Sequence, residues 1–300
     1  MPAAIIGNSR MLACLRKTGE LSRLFWPDID YGQHLGDFLT GINLAAPEQK
    51  TYTLWFHRKN WQAGQRYLEG ANVLETVYLN NLHRLKVTQT DFVLPDEDTL
   101  VRRYVIENLG TKLRNPVFFT YCGFRPEESN LYDNVYFDYT NNSLVFFRRN
   151  VYLTVAASGQ PLAGFHCGRR GTPSDPYQEA SRGRLWGSQD NMLKSAGSLA
   201  WKMGELAPEQ SREISLYLIA GPNREDNQER LKSLLATSPS EQQDLTVKHW
   251  QGFLCKSPPD AAEAKEKALY IRSLLAMQLM TNSRTGASIA APEFDPCYQM

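Results

Sequence analysis

The sequence is short of cysteine, of surplus charge and of long apolar runs. Its five cysteines, Cys14, Cys122, Cys167, Cys255 and Cys297, are odd in number and widely spaced, with no Cys-x-x-Cys pair. That excludes a disulfide framework and the close-spaced ligand pairs of structural zinc, and it predicts reduced thiols in a cytoplasmic setting. The 33 Lys+Arg against 32 Asp+Glu leave a net charge of +1. A chain so balanced lacks the basic surplus of a nucleic-acid binder, and it lacks the pull toward anionic membranes. No stretch approaches the roughly 18 apolar residues that cross a bilayer. The N-terminal MPAAIIGNSRMLACLRK has no basic residue before its short apolar run, so no signal peptide is predicted. His34, His57, His83 and His249 stand singly, and neither a metal site nor a cofactor is predicted.

What is present is core material: 42% apolar and 11% aromatic residues, enough to exclude a disordered chain. From about residue 5 to residue 255 the pattern is strand-like, with short β-branched and aromatic runs between turn residues. The runs include 51–57, 82–88, 100–108, 115–124, 144–148, 151–156 and 214–220. In 100–106, Leu100, Arg102, Tyr104 and Ile106 share one face, whereas the continuous run at 214–219 predicts a strand covered on both faces. Asn80-Asn81, Asn141-Asn142 and Ser158-Gly159 punctuate the runs, and Asn and Gly tolerate the positive φ of tight hairpins. Many strands without alternating helices predict a mainly β, antiparallel sandwich.

Three stretches depart from this pattern. Gly164–Ser188 is rich in Gly, Ser, Pro and Arg and is expected to be a long loop. Asn223–Ala236 reads as a surface helix that ends before Pro239. A last helix is expected over 257–282: Ser257 caps it, Pro258 suits its first turn, Asp260 complements its dipole, and positions 264, 268, 271 and 275 repeat at helical spacing. Its end, Leu274–Met280, is apolar nearly all round, which predicts an interface made by Leu274, Leu275, Met277, Leu279 and Met280.

Four stretches carry a resemblance that spans nearly the whole chain. They are Ile6-Gly-Asn-Ser-Arg-Met-Leu12 followed by Phe25-Trp-Pro27; Thr90-Asp-Phe-Val-Leu-Pro95 leading into Val101-Arg-Arg-Tyr104 and Glu107-Asn-Leu109; Trp201-Lys-Met-Gly204 with Leu206-Ala-Pro208; and Thr285–Pro296. Together they resemble the N-terminal half of bacterial glucoamylase-like proteins of glycoside hydrolase family 15. The resemblance implies a large antiparallel β super-sandwich, galactose-mutarotase-like, over 1–256. It implies a linker helix over 257–282, and over 283–300 an extended lead-in to an (α/α)6 barrel not contained in these residues. In that family the barrel holds both catalytic glutamates and a Tyr-Cys-Trp-Arg-Asp-like motif, so no catalytic residue is expected here. The partner implied is an α-glucan or maltooligosaccharide, held mainly by the barrel.

Local features are weighed against that reading. Glu127-Glu128 cannot flank one bond if they are strand neighbours, and a solvated turn is expected. Glu293 and Asp295 are read as structural groups at the domain junction. His166-Cys167 diverge likewise and fit a strand end better than a nucleophile pair. The arginines of 168–171 and 182–184 have no phosphate-cradling spacing and are read as a solvated loop. The best sugar-facing candidates are Trp26, Asp28, Tyr31 and His34, because aromatic faces stack on sugar C–H faces and carboxylates accept hydroxyl hydrogens. The leading expectation is a non-catalytic domain that braces the barrel and shapes one rim of its sugar site. The alternatives are a stand-alone carbohydrate-binding module, or a subunit that pairs with a barrel on another chain or with itself through the apolar helix end.

Overall fold

The computed structural model describes residues 3–30, 32–44, 52–129, 133–189, 193–255 and 264–292. Tyr31, Ser257–Asp260, Glu293, Asp295 and Cys297 lie outside the described residues.

In chain order, β1 (Ala4–Gly7), β2 (Leu12–Leu15) and β3 (Leu21–Phe25) make a small antiparallel sheet. The strands β4 (Leu35–Asn43) and β5 (Leu54–Trp55) enter a second sheet. Next, β6 (Gln62–Tyr67), β7 (Leu74–Asn80), β8 (Leu85–Val93) and β9 (Thr99–Asn108) run as successive hairpins in a third. The chain returns to the second sheet as β10 (Val117–Phe124), then adds β11 (Asn134–Asp138), β12 (Ser143–Arg148) and β13 (Val151–Ser158) to the third. β14 (Leu162–Arg169), helix α1 (Pro176–Ser181) and β15 (Ser195–Lys202) complete the second sheet, and β16 (Ser211–Gly221) closes the third. The five-stranded order is β14-β15-β10-β4-β5 and the eight-stranded order β11-β12-β13-β16-β9-β8-β7-β6, with every pairing antiparallel. Three helices follow: α2 (Arg224–Ala236), α3 (Pro239–Leu254) and α4 (Ala264–Leu279). This is a mainly β, antiparallel super-sandwich, and no barrel of paired helices occurs among the described residues.

The period of two decides the layers. Leu100, Tyr104 and Ile106 of β9 join Phe38 of β4 and Phe118 and Phe124 of β10 in the core between the two large sheets. Val101 points the other way, to a second core roofed by the helices. Strand β16 is buried from Ile214 to Gly221, with Leu216, Leu218 and Ala220 between the sheets and Tyr217 and Ile219 under the helices. The expectation of a strand covered on both faces therefore holds. A third cluster, Trp55, Phe119, Tyr121 and Ala180, sits on the outer face of the five-stranded sheet beneath α1.

Two expectations are corrected. The strand pattern ends at Gly221, not near residue 255, because α3 follows α2 directly. Pro239 opens α3 as its first residue, with Ser238 accepting from the Glu241 N–H at 3.2 Å. Its buried face is Gln242, Thr246 and Trp250, at spacing four but mostly polar, so an apolar-periodicity reading passes over it. The stretch 164–188 is not one loop: it continues β14 to Arg169 and holds α1, capped by Asp175, whose carboxylate accepts from the Tyr177 N–H at 3.0 Å.

Candidate functional site

The loop between β3 and β4 carries the sugar-facing candidates, and it is tied down from several sides. Trp26 is only 6% exposed, with its ring in the inter-sheet core. Its indole N–H donates to Asp98 Oδ2 at 2.9 Å, and the other Asp98 oxygen accepts from Arg10 Nε at 2.8 Å. Asn8, two residues before Arg10, accepts from the Arg10 and Met11 N–H groups at 3.1 and 2.8 Å and donates to the Leu94 carbonyl at 2.9 Å. This side-chain-capped turn holds Ser9 at φ 69°, where Ser9 Oγ donates to the Gln278 carbonyl at 2.8 Å near the end of α4. The Ser283 N–H returns a bond to the Ser9 carbonyl at 3.1 Å. On the loop, Asp28 accepts from Arg284 at 2.6 Å, and Asn282 donates to Asp28 and Asp30 at 3.1 and 3.2 Å.

Two of the four stretches that carry the family resemblance thus meet at one node, and the last begins beside it, where the Thr285 N–H donates to Asn282 Oδ1 at 3.1 Å. The other pairing lies elsewhere: the Asn108 amide donates to the Leu206 and Lys112 carbonyls at 3.0 and 2.8 Å and joins the β9 end to the 206–208 turn.

His34 is fully buried and links the loop to the turn after β10. Its Nδ1 accepts from the Glu127 N–H at 2.9 Å, so the ring proton sits on Nε2 and is donated to the Trp26 carbonyl at 2.6 Å. Glu127 and Glu128 hold φ of 57° and 58°, a conformation that costs a non-glycine residue on the order of 1–3 kcal/mol. Glu127 pairs with Arg148, and Glu128 Oε1 accepts from the Gln33 N–H at 2.8 Å. The expected solvated turn is a turn, but its carboxylates are built into the structure.

Burial pushes the His34 pKa down from 6.5, against the Trp26 bond and the neighbouring glutamates, and burial lowers His57 to about 4. A base lowered by folding stabilises fully above its unfolded pKa and loses that contribution as pH falls toward its folded pKa. Stability should therefore decline as pH falls below 6.5, for His57 down to about 4, by up to about 1.4 kcal/mol per pH unit while a histidine titrates. His34→Gln, whose amide offers both a donor and an acceptor, should flatten that acid-side slope; urea unfolding at stepped pH measures it. His34→Ala should lower stability at every pH, because it strands two buried backbone groups at about 1–3 kcal/mol each.

Beside this loop lies an open cleft of about 470 Å³ lined by Phe25, Asp30, Gln33, Glu128, Ala291 and Pro292 among others. Asp30 and Glu128 each already accept a hydrogen bond from the chain, and their remaining lone pairs can receive hydroxyl hydrogens. Asp28 is half-buried on the same loop, where it pairs with the exposed Arg284. Trp26 and His34 hold the loop from within.

The other candidates separate from this site. His166 and Cys167 lie on β14, facing opposite ways, and burial pushes the Cys167 thiol up to about 12, far from a reactive thiolate. Of the five helix-end residues expected to form an interface, Leu275 and Leu279 are buried on this chain's own sandwich. Met277 is 61% exposed, and Leu274 and Met280 are half-buried. A single apolar band cannot tell which side its own domain takes. Asn8, Asp98, Asn282 and Arg284 have no site signature in the sequence, although Asn8-Ser-Arg10 is a turn-forming signal in itself. Among the described residues no cluster of three or more His, Cys, Asp or Glu is placed to hold a metal ion. No helix among them is long and apolar enough to cross a membrane.

The fold is an antiparallel super-sandwich that larger proteins of known structure share. A crystal structure of a bacterial glucoamylase complexed with acarbose matches it with a TM-score of 0.79, over 97% of this chain and 42% of that one, at 14% identity. A polysaccharide lyase matches with a TM-score of 0.50 over 75% of this chain and 34% of that one, at 11% identity. In sequence, a protein of Methanocaldococcus jannaschii described as an uncharacterized glycosyl hydrolase is 24% identical over 98% of this chain. The chain spans 47% of that relative's length. No family model matches the chain.

Proposed function

We propose that this chain is the non-catalytic sandwich portion of a glucoamylase-type glycoside hydrolase of family 15, which braces the catalytic barrel and forms one rim of its sugar site. The observation that carries the reading is the likeness to a glucoamylase over nearly the whole chain but less than half of that enzyme. The glycosyl hydrolase relative supports it with the same proportions. In this reading residues 1–256 form the sandwich, 257–282 the linker and 283–300 the lead-in to the barrel, in a cytoplasmic enzyme. The intact enzyme releases glucose from the non-reducing ends of α-glucans with inversion. The node at Ser9, Asp28, Asn282 and Arg284 aims the chain after the linker helix at the cleft, so Asp28, Asp30, Gln33 and Glu128 become the rim.

Inverting hydrolysis needs an acid and a base about 6.5–9.5 Å apart across the sugar. Incubating the chain with maltose and isomaltose is expected to release no glucose. Turnover that disappears in an Asp30→Asn/Glu128→Gln variant would move the chemistry into this chain and end the proposal.

A second reading rests on α4, whose solvent side keeps Leu269 and Met277 exposed at 68% and 61%. Pairing with a barrel on another chain, or with a second copy, would cover them. Light scattering should then show a species larger than the monomer; a strict monomer at high concentration removes self-association.

A further inference from the structure

Two aromatic side chains stand in solvent on the β11–β14 side of the molecule, and both are held in place. Trp186 is 62% exposed and Tyr139 68%. The Trp186 indole N–H donates to Glu179 Oε2 at 2.9 Å, and the Arg184 guanidinium lies 5.0 Å from the ring centroid. Glu179 is fixed in turn by Arg182 at 2.9 Å. Tyr139 packs edge-on against Phe137 and Phe165 with centroids 4.9 and 5.5 Å away, and its hydroxyl accepts from Gln189 Nε2 at 3.3 Å.

One short ridge joins the two rings. The Gly187 N–H donates to the Phe165 carbonyl at 2.8 Å, the Cys167 N–H to the Ser188 carbonyl at 2.8 Å, and Gln189 bridges in parallel to Cys167. Gln189 Oε1 also accepts from the Phe137 N–H at 3.2 Å. Residues 187–189 thus lie along the edge of β14, with Trp186 at one end and Tyr139 reached through Gln189 at the other. Three residues of extended chain give a ridge roughly 10 Å long. None of these residues lines the cleft beside the Trp26 loop.

An exposed tryptophan anchored through its N–H loses little side-chain entropy when a ligand covers it. Its open face suits the C–H face of a pyranose, while Gln189, Glu179 and Arg184 supply donors and acceptors for hydroxyl groups. A purely apolar partner would leave these groups unmatched at a cost. We infer that the Trp186–Tyr139 ridge is a glucan-binding surface that grips a short stretch of α-glucan chain away from the rim site. The choice of α-glucan rests on the proposed function; the stacking chemistry stands on the ridge itself.

The test is titration of the full chain with maltoheptaose, followed by tryptophan fluorescence and calorimetry. Saturable binding is expected, weakened at least about tenfold by Trp186→Ala and by Tyr139→Ala. Both side chains are mostly exposed, so neither variant should shift the thermal midpoint appreciably. Absence of binding in the parent chain overturns the inference. So does binding that Trp186→Ala leaves intact and Asp30→Ala removes, which would place the sugar in the cleft. Because the maltose and isomaltose assay reads turnover rather than binding, failure of the ridge leaves the proposed function standing or falling on that assay.

Discussion

Replacing Asp91 with alanine is expected to lower unfolding stability by about 3–5 kcal/mol, a large part of the 5–15 kcal/mol that holds a typical domain together. Asp91 and Arg102 sit opposite each other on β8 and β9. Their side chains are 0% and 1% exposed, with Arg102 Nε at 2.7 Å from Asp91 Oδ1. Arg102 also donates to the Gly19 carbonyl, and its guanidinium lies 5.3 Å from the Phe38 ring centroid. Gly19 is at φ +72°, and a Cβ there would overlap the Tyr78 hydroxyl, so the hairpin turn that brings its carbonyl to Arg102 requires glycine. Removing the carboxylate leaves the guanidinium buried with no counter-charge. The paired change Asp91→Leu/Arg102→Met removes both charges and should cost much less, because ion pairs replaced whole are often close to neutral. Urea unfolding of the two variants measures the contrast. A loss below about 1 kcal/mol for Asp91→Ala would mean that water reaches Arg102 and the pair is not dry.

Trp26→Ala should cost a similar amount, about 3–5 kcal/mol, because it empties a large core position and leaves Asp98 without one of its donors. The loop's links to Asn282 and Arg284 should loosen with it, since Asp28 and Asp30 follow Trp26 directly. Trp26→Phe keeps most of the volume and loses only the N–H bond, at about 1–2 kcal/mol. The same pair of variants separates anchoring from sugar stacking. An anchoring tryptophan makes Trp26→Phe a stability variant with unchanged maltooligosaccharide affinity. A stacking tryptophan gives the reverse, a weaker sugar response at an unchanged denaturation midpoint.

Much of this protein was legible without coordinates. The alternation at 100–106 and the continuous apolar run at 214–219 assigned faces that the sheets then used, because a period of two leaves each side chain only two directions. Asn80-Asn81 and Asn141-Asn142 marked the β7–β8 and β11–β12 hairpins, whereas Ser158-Gly159, with Gly159 at φ 89°, carries the chain from one large sheet to the other. Polar faces were not legible: α3 buries Gln242 and Thr246, and the Gln242 amide N–H donates to the Leu234 carbonyl at 2.9 Å, a contact no hydropathy pattern announces.

The residue types around the loop were visible in the chain, and so was a resemblance to glucoamylase-like proteins. Their roles were not. Composition offered Trp26 and His34 as sugar-facing groups, and only the closing of β3 and β4 against the Asp98 and Glu127 turns made them internal anchors. Asp30 and Glu128 border open space, and Asn282 and Arg284, more than 250 positions from Asp28, fold back onto the loop that carries Asp30. Local pattern determines elements and faces through short-range sterics and periodicity. Which polar groups end up buried and which line a cleft depends on contacts between distant segments, and these exist only once the sandwich has closed.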